Sequence, residues 1–255
     1  MQIVISPAKN INTEVQIPAI KTTMPRFQQQ SQELLKLMKT FTPEDLSKLM
    51  KISDKLAVLN FERFQQMSFP LETKNTIPAI FAFNGAVFQG INIASFSIPD
   101  LEYAQNHLNI ISGLYGLLRP LDGIMPYRLE MGTALKSDYF TNLYHFWGEK
   151  LQQQLIQSLN TNNENVLVNL ASNEYFKALV SKSLSARIIT PVFKDFKNGK
   201  YKMITIYAKQ ARGFMTSFIL KNRIEVPDEI KLFDEAGYEY NDHLSKGDEW
   251  VFTRN

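Results

Sequence analysis

The segment that most strongly constrains the fold is residues 112–132, which read SGLYGLLRPLDGIMPYRLEMG. Its four glycines and two prolines predict tight, stiff backbone that can lie close to a ligand. Arg119 and Arg128 can each hold a phosphate through two hydrogen bonds. Gly113 and Gly116 loosely resemble the glycine hairpin of helix-hairpin-helix modules, which bind DNA phosphates. Two interpretations are open: a phosphate-binding loop, or a turn-rich structural crossing whose Arg and Glu side chains pair with each other.

Strand and helix signals alternate on both sides of this segment. Apolar runs predict strands over residues 1–5, 77–83, 109–111, 166–170, 186–193, 201–207 and 250–253. Periodicity and N-cap signals predict a helix that starts at Pro43 and others over residues 25–39, 53–67, 98–107, 141–159, 173–180 and 209–221. Asn198-Gly199 predicts a type I′ hairpin, so at least one strand pair is antiparallel. We therefore expect an α+β fold, with a mixed sheet and flanking helices, in one integrated domain over residues 1–255. Residues from about 25 to 67 are a candidate helical lobe.

Composition excludes several classes of protein. No apolar run reaches the roughly 18 residues that a membrane helix needs, and the first residues read as a strand rather than a signal peptide. The chain has no cysteine, which excludes disulfides, thiolate nucleophiles and Cys-held zinc or iron–sulfur clusters. Its three histidines are far apart in sequence, so we predict no metal site and no cofactor. We expect a soluble cytoplasmic protein that does not enter a membrane.

Basic residues concentrate in the C-terminal half of the chain. Residues 177–231 contain 12 basic and 4 acidic residues, a charge of +8, so the rest of the chain carries −5 of the net +3. If the fold gathers these cations on one face, that face attracts a polyanion. If it scatters them, they are ordinary solvated lysines.

Three further blocks carry polar side chains at predicted element ends. Lys9 follows the first strand and is either a phosphate contact or a surface lysine. Glu174, in residues 169–177, lies where a buried strand enters a helix; that helix start suits an anion, or Glu174 simply complements it. Lys209 and Arg212 lie three residues apart near a helix start and share a face. They could form a basic groove with lysines of the predicted hairpin, namely Lys194, Lys197, Lys200 and Lys202.

The four blocks, residues 5–9, 112–132, 169–177 and 209–215, occur in an order that resembles the peroxide stress protein YaaA family, and the resemblance covers essentially the whole chain. It implies a role in protecting bacteria from hydrogen peroxide by lowering free intracellular iron and so limiting damage to DNA and protein. It also implies a single-domain α+β fold with a positively charged cleft and a helix-hairpin-helix-like element. Binding of duplex or structurally distorted DNA, without strong sequence preference, is implied as well.

Two functions follow as hypotheses. The leading one is a DNA-binding stress protein, with no obligate protein partner, whose phosphate contacts are Lys9, Arg119, Arg128, Lys194, Lys197, Lys209 and Arg212. The alternative is an enzyme acting on a nucleic-acid or phosphorylated substrate. Glu130 or Glu174 would then act as general base, and Lys9 or an arginine would stabilise anionic charge. An enclosed pocket would favour the enzyme, and an open groove would favour binding. Direct iron sequestration is disfavoured, because carboxylates are the only abundant ligands.

Overall fold

Strands and helices interleave along the chain, which a computed structural model describes over residues 1–161, 165–180 and 184–255. The strands of the described part are β1 (Gln2–Ile5), β2 (Asn10–Ile11), β3 (Ile77–Pro78), β4 (Phe83–Asn84), β5 (Leu108–Ser112), β6 (Gly116–Leu118), β7 (Gly123–Ile124), β8 (Val166–Leu170), β9 (Arg187–Lys197), β10 (Lys200–Lys202), β11 (Glu239–Tyr240) and β12 (Glu249–Arg254). The α-helices are α1 (Gln28–Met38), α2 (Pro43–Met50), α3 (Asp54–Gln66), α4 (Ala79–Ala82), α5 (Ala86–Ile91), α6 (Ile98–His107), α7 (Leu143–Trp147), α8 (Lys150–Thr161), α9 (Asn173–Phe176) and α10 (Thr205–Lys221).

The main sheet is mixed, as the hairpin signal predicts. Its strand order within the described residues is β11-β12-β9-β8-β1-β5-β6, and β10 pairs with β9 outside this path. Neighbouring strands from β12 to β5 are parallel, whereas β6, β10 and β11 are antiparallel to their neighbours. Helices flank this sheet, so the predicted α+β class is confirmed.

The central strands are buried on both faces, which explains why their sequences are predominantly apolar. Every residue of β1 and β5 is buried, and so are the last four of β8. Leu34 and Met38 of α1, Leu46 of α2 and Phe64 of α3 pack into the same hydrophobic cluster as these strands. The predicted helical region therefore shares the core of the sheet, while the exact limits of a lobe stay a prediction. None of the helices in the described residues is long and apolar enough to span a membrane.

Four predicted elements were wrong in detail. The helix over 173–180 ends at Phe176 and continues only as turns. The run 77–83 is split into β3, α4 and β4, because short apolar runs are buried equally well as strand or helix. The helix over 141–159 breaks at Gly148, whose φ of 48° lies in the left-handed region. The strand over 201–207 ends at Lys202, and α10 begins at Thr205 despite β-branched neighbours, because tertiary packing overrides propensity. The hairpin itself is confirmed, since Asn198 and Gly199 both have positive φ.

Helix α10 crosses α5 at a contact that requires glycine. A methyl group on Gly213 would overlap the carbonyl oxygen of Val87 and approach Gly90 Cα to 2.8 Å. Both neighbours are backbone atoms, so neither can rotate away. This crossing fixes the position of α10 and of the two basic residues on it, Lys209 and Arg212.

The segment 112–132 is largely a structural crossing. Gly113 begins the turn between β5 and β6, and Gly116 is the first residue of β6, so the helix-hairpin-helix interpretation is wrong at this location. The turn's N–H groups are also occupied: those of Leu114 and Tyr115 donate to Ser112 Oγ over 3.2 and 2.9 Å. A helix pair with short connectivity occurs elsewhere, where α2 and α3 are joined by residues 51–53. The helix-hairpin-helix-like element that the family resemblance implies stays a prediction.

Candidate functional site

A cleft opens where the strand order of the sheet reverses. The strand β5 pairs with one side of β1, and β8 pairs with the other side, so the carboxyl ends of β1 and β8 lie at a topological switch point. In open sheets with parallel strands this is the usual place for a ligand. The cleft has a volume of about 860 Å³. We call it the switch-point cleft; it is lined by Ser6, Pro7, Ala8, Lys9, Asn10, Asn84, Gly85, Ala86, Val87, Phe88, Glu130, Asn169, Ala171, Ser172, Asn173, Glu174, Tyr175, Thr190, Val192, Met203, Thr205, Ala208, Lys209, Arg212 and Glu249.

Two serines join the strand ends at the floor of the cleft. The backbone N–H of Ser172 donates to Ser6 Oγ over 2.9 Å, and the two hydroxyl oxygens are 3.3 Å apart. Ser6 directly follows β1, and Ser172 directly precedes α9, so this contact ties the loop after β1 to the start of α9. The loop that carries Lys9 and the helix that carries Glu174 are thereby held against each other.

Glu130 is held between two cations. Lys9 Nζ lies 2.8 Å from one carboxylate oxygen of Glu130, and an Nη2–H of Arg128 donates to the other over 3.0 Å. Arg128 is not part of the lining; its side chain is only 14% exposed and lies behind Glu130. Its Nε is buried without a hydrogen-bond partner among the described residues. The geometry makes Arg128 a support that orients Glu130 toward the cleft.

Glu174 is positioned by the end of the 112–132 segment. Its Oε1 accepts a hydrogen bond of 2.9 Å from the backbone N–H of Gly132. The Tyr144 hydroxyl donates to the carbonyl oxygen of Glu174 over 3.0 Å, which anchors α9 to α7. Two effects raise the pKa of Tyr144: the larger is desolvation of the phenol, and the smaller is the nearby charge of Glu174. The two candidate bases, Glu130 and Glu174, therefore line the same cleft, and Glu174 is held by the backbone two residues after Glu130.

Arg212 is the distinctive charge of the site. It is half-buried on α10, and burial lowers the pKa of its guanidinium. In the described part of the chain no carboxylate forms an ion pair with Arg212 or with its exposed neighbour Lys209. A partly desolvated cation without a counter-ion is unfavourable unless an anion from solution approaches it.

The formal charge of the lining is balanced. The basic residues are Lys9, Lys209 and Arg212, and the acidic ones are Glu130, Glu174 and Glu249. The lining alone therefore does not confirm the positively charged cleft that the family resemblance implies. The basic residues of the lining differ, however: Lys9 is paired with Glu130, whereas Lys209 and Arg212 on α10 have no carboxylate partner among the described residues.

Other predicted contacts lie outside the cleft. Arg119 forms an ion pair with the fully buried Asp122, 2.8 Å between Nη2 and Oδ1, and also donates to the Met24 carbonyl oxygen. Lys194 and Lys197 lie on the outer part of β9. The structure thus brings together Lys9, Glu130, Glu174, Lys209 and Arg212, with Arg128 behind them. The functional roles of all these residues stay predictions.

Several lining residues were not predicted from sequence. Thr190, Val192 and Glu249 enter the cleft because β9 extends beyond β8 and pairs with β12 in parallel register. Nothing local in the sequence signals a pairing between strands about sixty residues apart. Asn84 and Gly85 reach the cleft because Asn84 pairs with Asn10 between β2 and β4, which also brings Gly85 against Ala8. Among the described residues, no group of three or more His, Asp or Glu side chains is arranged to hold a metal ion.

The fold and the cleft define a class: an α+β protein with a parallel sheet core and a mixed-charge cleft at its switch point. The family model for the peroxide stress protein YaaA matches residues 1–244, and the chain belongs to that family. It is 50% identical to a UPF0246 protein of Teredinibacter turnerae over 254 residues, which is 100% of this chain and 99% of that protein. It is 49% identical to a UPF0246 protein of Hahella chejuensis over 255 residues, covering all of both chains.

Proposed function

We propose that this chain is a DNA-binding protein of the peroxide stress response, which binds duplex or distorted DNA through phosphate contacts and helps limit iron-dependent oxidative damage. The observation that carries the proposal is the half-buried Arg212, which lines the switch-point cleft beside Lys209 without a carboxylate partner in the described chain. Guanidinium groups bind phosphate through paired hydrogen bonds. Membership of the peroxide stress family supplies the physiological context.

The charge distribution around the cleft supports the same proposal. Lys194, Lys197, Lys200 and Lys202 lie on the β9–β10 hairpin, and none of them forms an ion pair within the described residues. Phosphate contacts of this kind are independent of base sequence, because they read only the backbone. They also make the affinity strongly dependent on salt. We therefore expect weak sequence preference and loss of binding at high ionic strength.

The direct test is DNA binding by Lys209→Gln, measured by fluorescence anisotropy with a labelled duplex at low salt. Loss of one phosphate contact should lower the affinity severalfold at low salt and reduce the salt dependence. Lys221→Gln is the matched control: it removes the same charge from the other end of α10, outside the cleft. Folded wild-type protein that binds no duplex, junction or bulged DNA at low salt would refute the proposal.

One observation favours a second candidate, an enzyme acting on a nucleic-acid or phosphorylated substrate. Glu130 is fixed between Lys9 and Arg128 inside the cleft, an arrangement that simple phosphate docking does not need. A fixed carboxylate could act as general base while Lys9 stabilises developing negative charge. Mass spectrometry of DNA and nucleotides after incubation with the protein distinguishes the two: new products would favour the enzyme, and unchanged substrates would favour binding alone.

A further inference from the structure

The outer half of the β9–β10 hairpin continues one wall of the switch-point cleft. Thr190 and Val192 of β9 line the cleft. Alternate residues of a strand share a face, so Lys194 and Phe196 follow them on the same side. The strand register places Tyr201 of β10 opposite Phe196. The cleft therefore leads without interruption onto a basic and aromatic surface, which we call the hairpin face: Lys194, Phe196, Tyr201 and Met203.

Large apolar groups are exposed on the hairpin face. Phe196 is 50% exposed and Met203 is 51% exposed. The ring of Phe196 meets that of Tyr201 edge-on, with centroids 5.2 Å apart, so the pair forms a fixed aromatic surface rather than two separate rings. Met203 lines the cleft itself and connects this surface with its interior.

Among the residues that the structure describes, no carboxylate neutralises the positive charge of the hairpin face. Asp195 is the acidic residue of the hairpin, but it is buried on the opposite face of β9. There it accepts hydrogen bonds from the Tyr238 hydroxyl over 3.0 Å and from Arg254 Nε over 2.8 Å. Within the described chain, Lys194 has no ion-pair partner, and neither do Lys197 and Lys200 at the hairpin tip. These three lysines are therefore available to an external anion.

We infer that the hairpin face binds unpaired nucleotides, with a base stacked on Phe196 and the adjoining strand running into the cleft toward Arg212. Aromatic side chains beside lysines are the usual platform for single-stranded nucleic acid, because every base offers a stacking face. The cleft volume of about 860 Å³ lies within the roughly 300–1,000 Å³ of small-ligand sites, which suits a nucleotide. This inference rests on the proposed DNA-binding function, and it specifies the substrate as DNA with bases out of the helix.

The test compares three labelled DNAs with similar numbers of phosphates: a fully paired duplex, the same duplex with a three-nucleotide bulge, and that duplex with abasic residues in the bulge. We expect the wild-type protein to prefer the bulge that carries bases. Phe196→Ala should weaken binding of that DNA roughly tenfold, in line with the loss of one base–aromatic stack. Its effect on the paired and abasic DNAs should be less than about twofold. Phe196→Trp should restore the preference, and Tyr139→Ala, which removes another exposed aromatic group outside the cleft, should leave it unchanged.

The outcomes separate this inference from the function on which it rests. If the wild-type protein binds none of the three DNAs, the proposed function fails and the inference falls with it. If it binds all three equally, or if Phe196→Ala weakens all three by the same factor, DNA binding stands and the inference is overturned. Vesicles containing phosphatidylserine are run in parallel, because lysines beside aromatic groups also suit an anionic membrane surface. Vesicle binding that depends on Phe196, without a preference for the bulge, would overturn the inference.

Discussion

Replacement of Asp122 by alanine should destabilise the protein severely, because this carboxylate is fully buried and has no redundant partner. It accepts hydrogen bonds from Thr23 Oγ1 over 2.6 Å and from the backbone N–H and Nη2–H of Arg119 over 2.8 Å each, with a longer contact from Nε. Asp122→Ala removes the acceptor of the Thr23 hydroxyl and of the Arg119 backbone N–H, and it removes the counter-ion of the partly exposed Arg119 side chain; together these losses cost about 3–5 kcal/mol. For a chain of this size that loss corresponds to a decrease in Tm of about 10 °C.

The assay is equilibrium unfolding in urea followed by circular dichroism, with Asp248→Ala as the matched control. Asp248 also binds an arginine through two contacts, from Nε and Nη2 of Arg187 over 2.8 and 2.7 Å, but this pair is exposed. Its loss should cost only about 0.2–1 kcal/mol. A similar small loss of unfolding free energy in both variants would contradict the structural role given to Asp122 and Arg119, and would return Arg119 to the candidate DNA contacts.

Two further stability predictions use the same unfolding assay. Gly213→Ala should lower the free energy of unfolding, because an overpacking cost of about 1–3 kcal/mol against Val87 and Gly90 outweighs the helix-propensity gain of about 1 kcal/mol; a variant more stable than wild type would show that α10 is not confined at this crossing. Ser97→Ala should cost about 1 kcal/mol at pH 7, since it breaks the capping box of α6. The hydrogen bond that the Ser97 hydroxyl donates to the Asp100 carboxylate lowers the pKa of Asp100 below 3.8. That part of the Ser97 contribution is therefore complete above pH 3.8 and is lost as pH falls through the folded-state pKa, whereas the bond that Ser97 Oγ accepts from the Asp100 backbone N–H does not depend on pH. A difference between wild type and Ser97→Ala that stayed constant down to pH 2 would contradict this assignment.

Local signals in the sequence predicted the parts of the fold whose structure is locally determined. The apolar strands near residues 1–5 and 166–170, followed by polar residues, were recognisable as strand ends that carry a site. Asn198-Gly199 specified its hairpin through the positive φ that both residues adopt. The alternation of buried strands with helices gave the class of the fold. These features depend on neighbours only a few residues apart, so their sequence pattern is sufficient.

The remaining features depend on long-range contacts. Arg119 has the side chain of a phosphate contact, but Asp122, three residues later, binds it in the interior. Arg128 and Glu130 did pair with each other, as the structural interpretation of residues 112–132 proposed. Glu130 nevertheless lines the cleft, because Arg128 binds only one of its carboxylate oxygens. Lys9, in the loop after β1, binds the other. The sequence therefore identified the groups of the site, while the sheet topology decided which of them meet.

The most direct test of the central proposal, that α10 binds DNA phosphates at the cleft, is the salt dependence of duplex affinity for wild type and for the double variant Lys209→Gln/Arg212→Gln. Each lost phosphate contact lowers the slope of log affinity against log salt concentration by about 0.9. We therefore predict a slope shallower by about 1.8 in the double variant, with Lys221→Gln unchanged. An equal slope in the wild type and the double variant, with both proteins folded, would contradict the proposal.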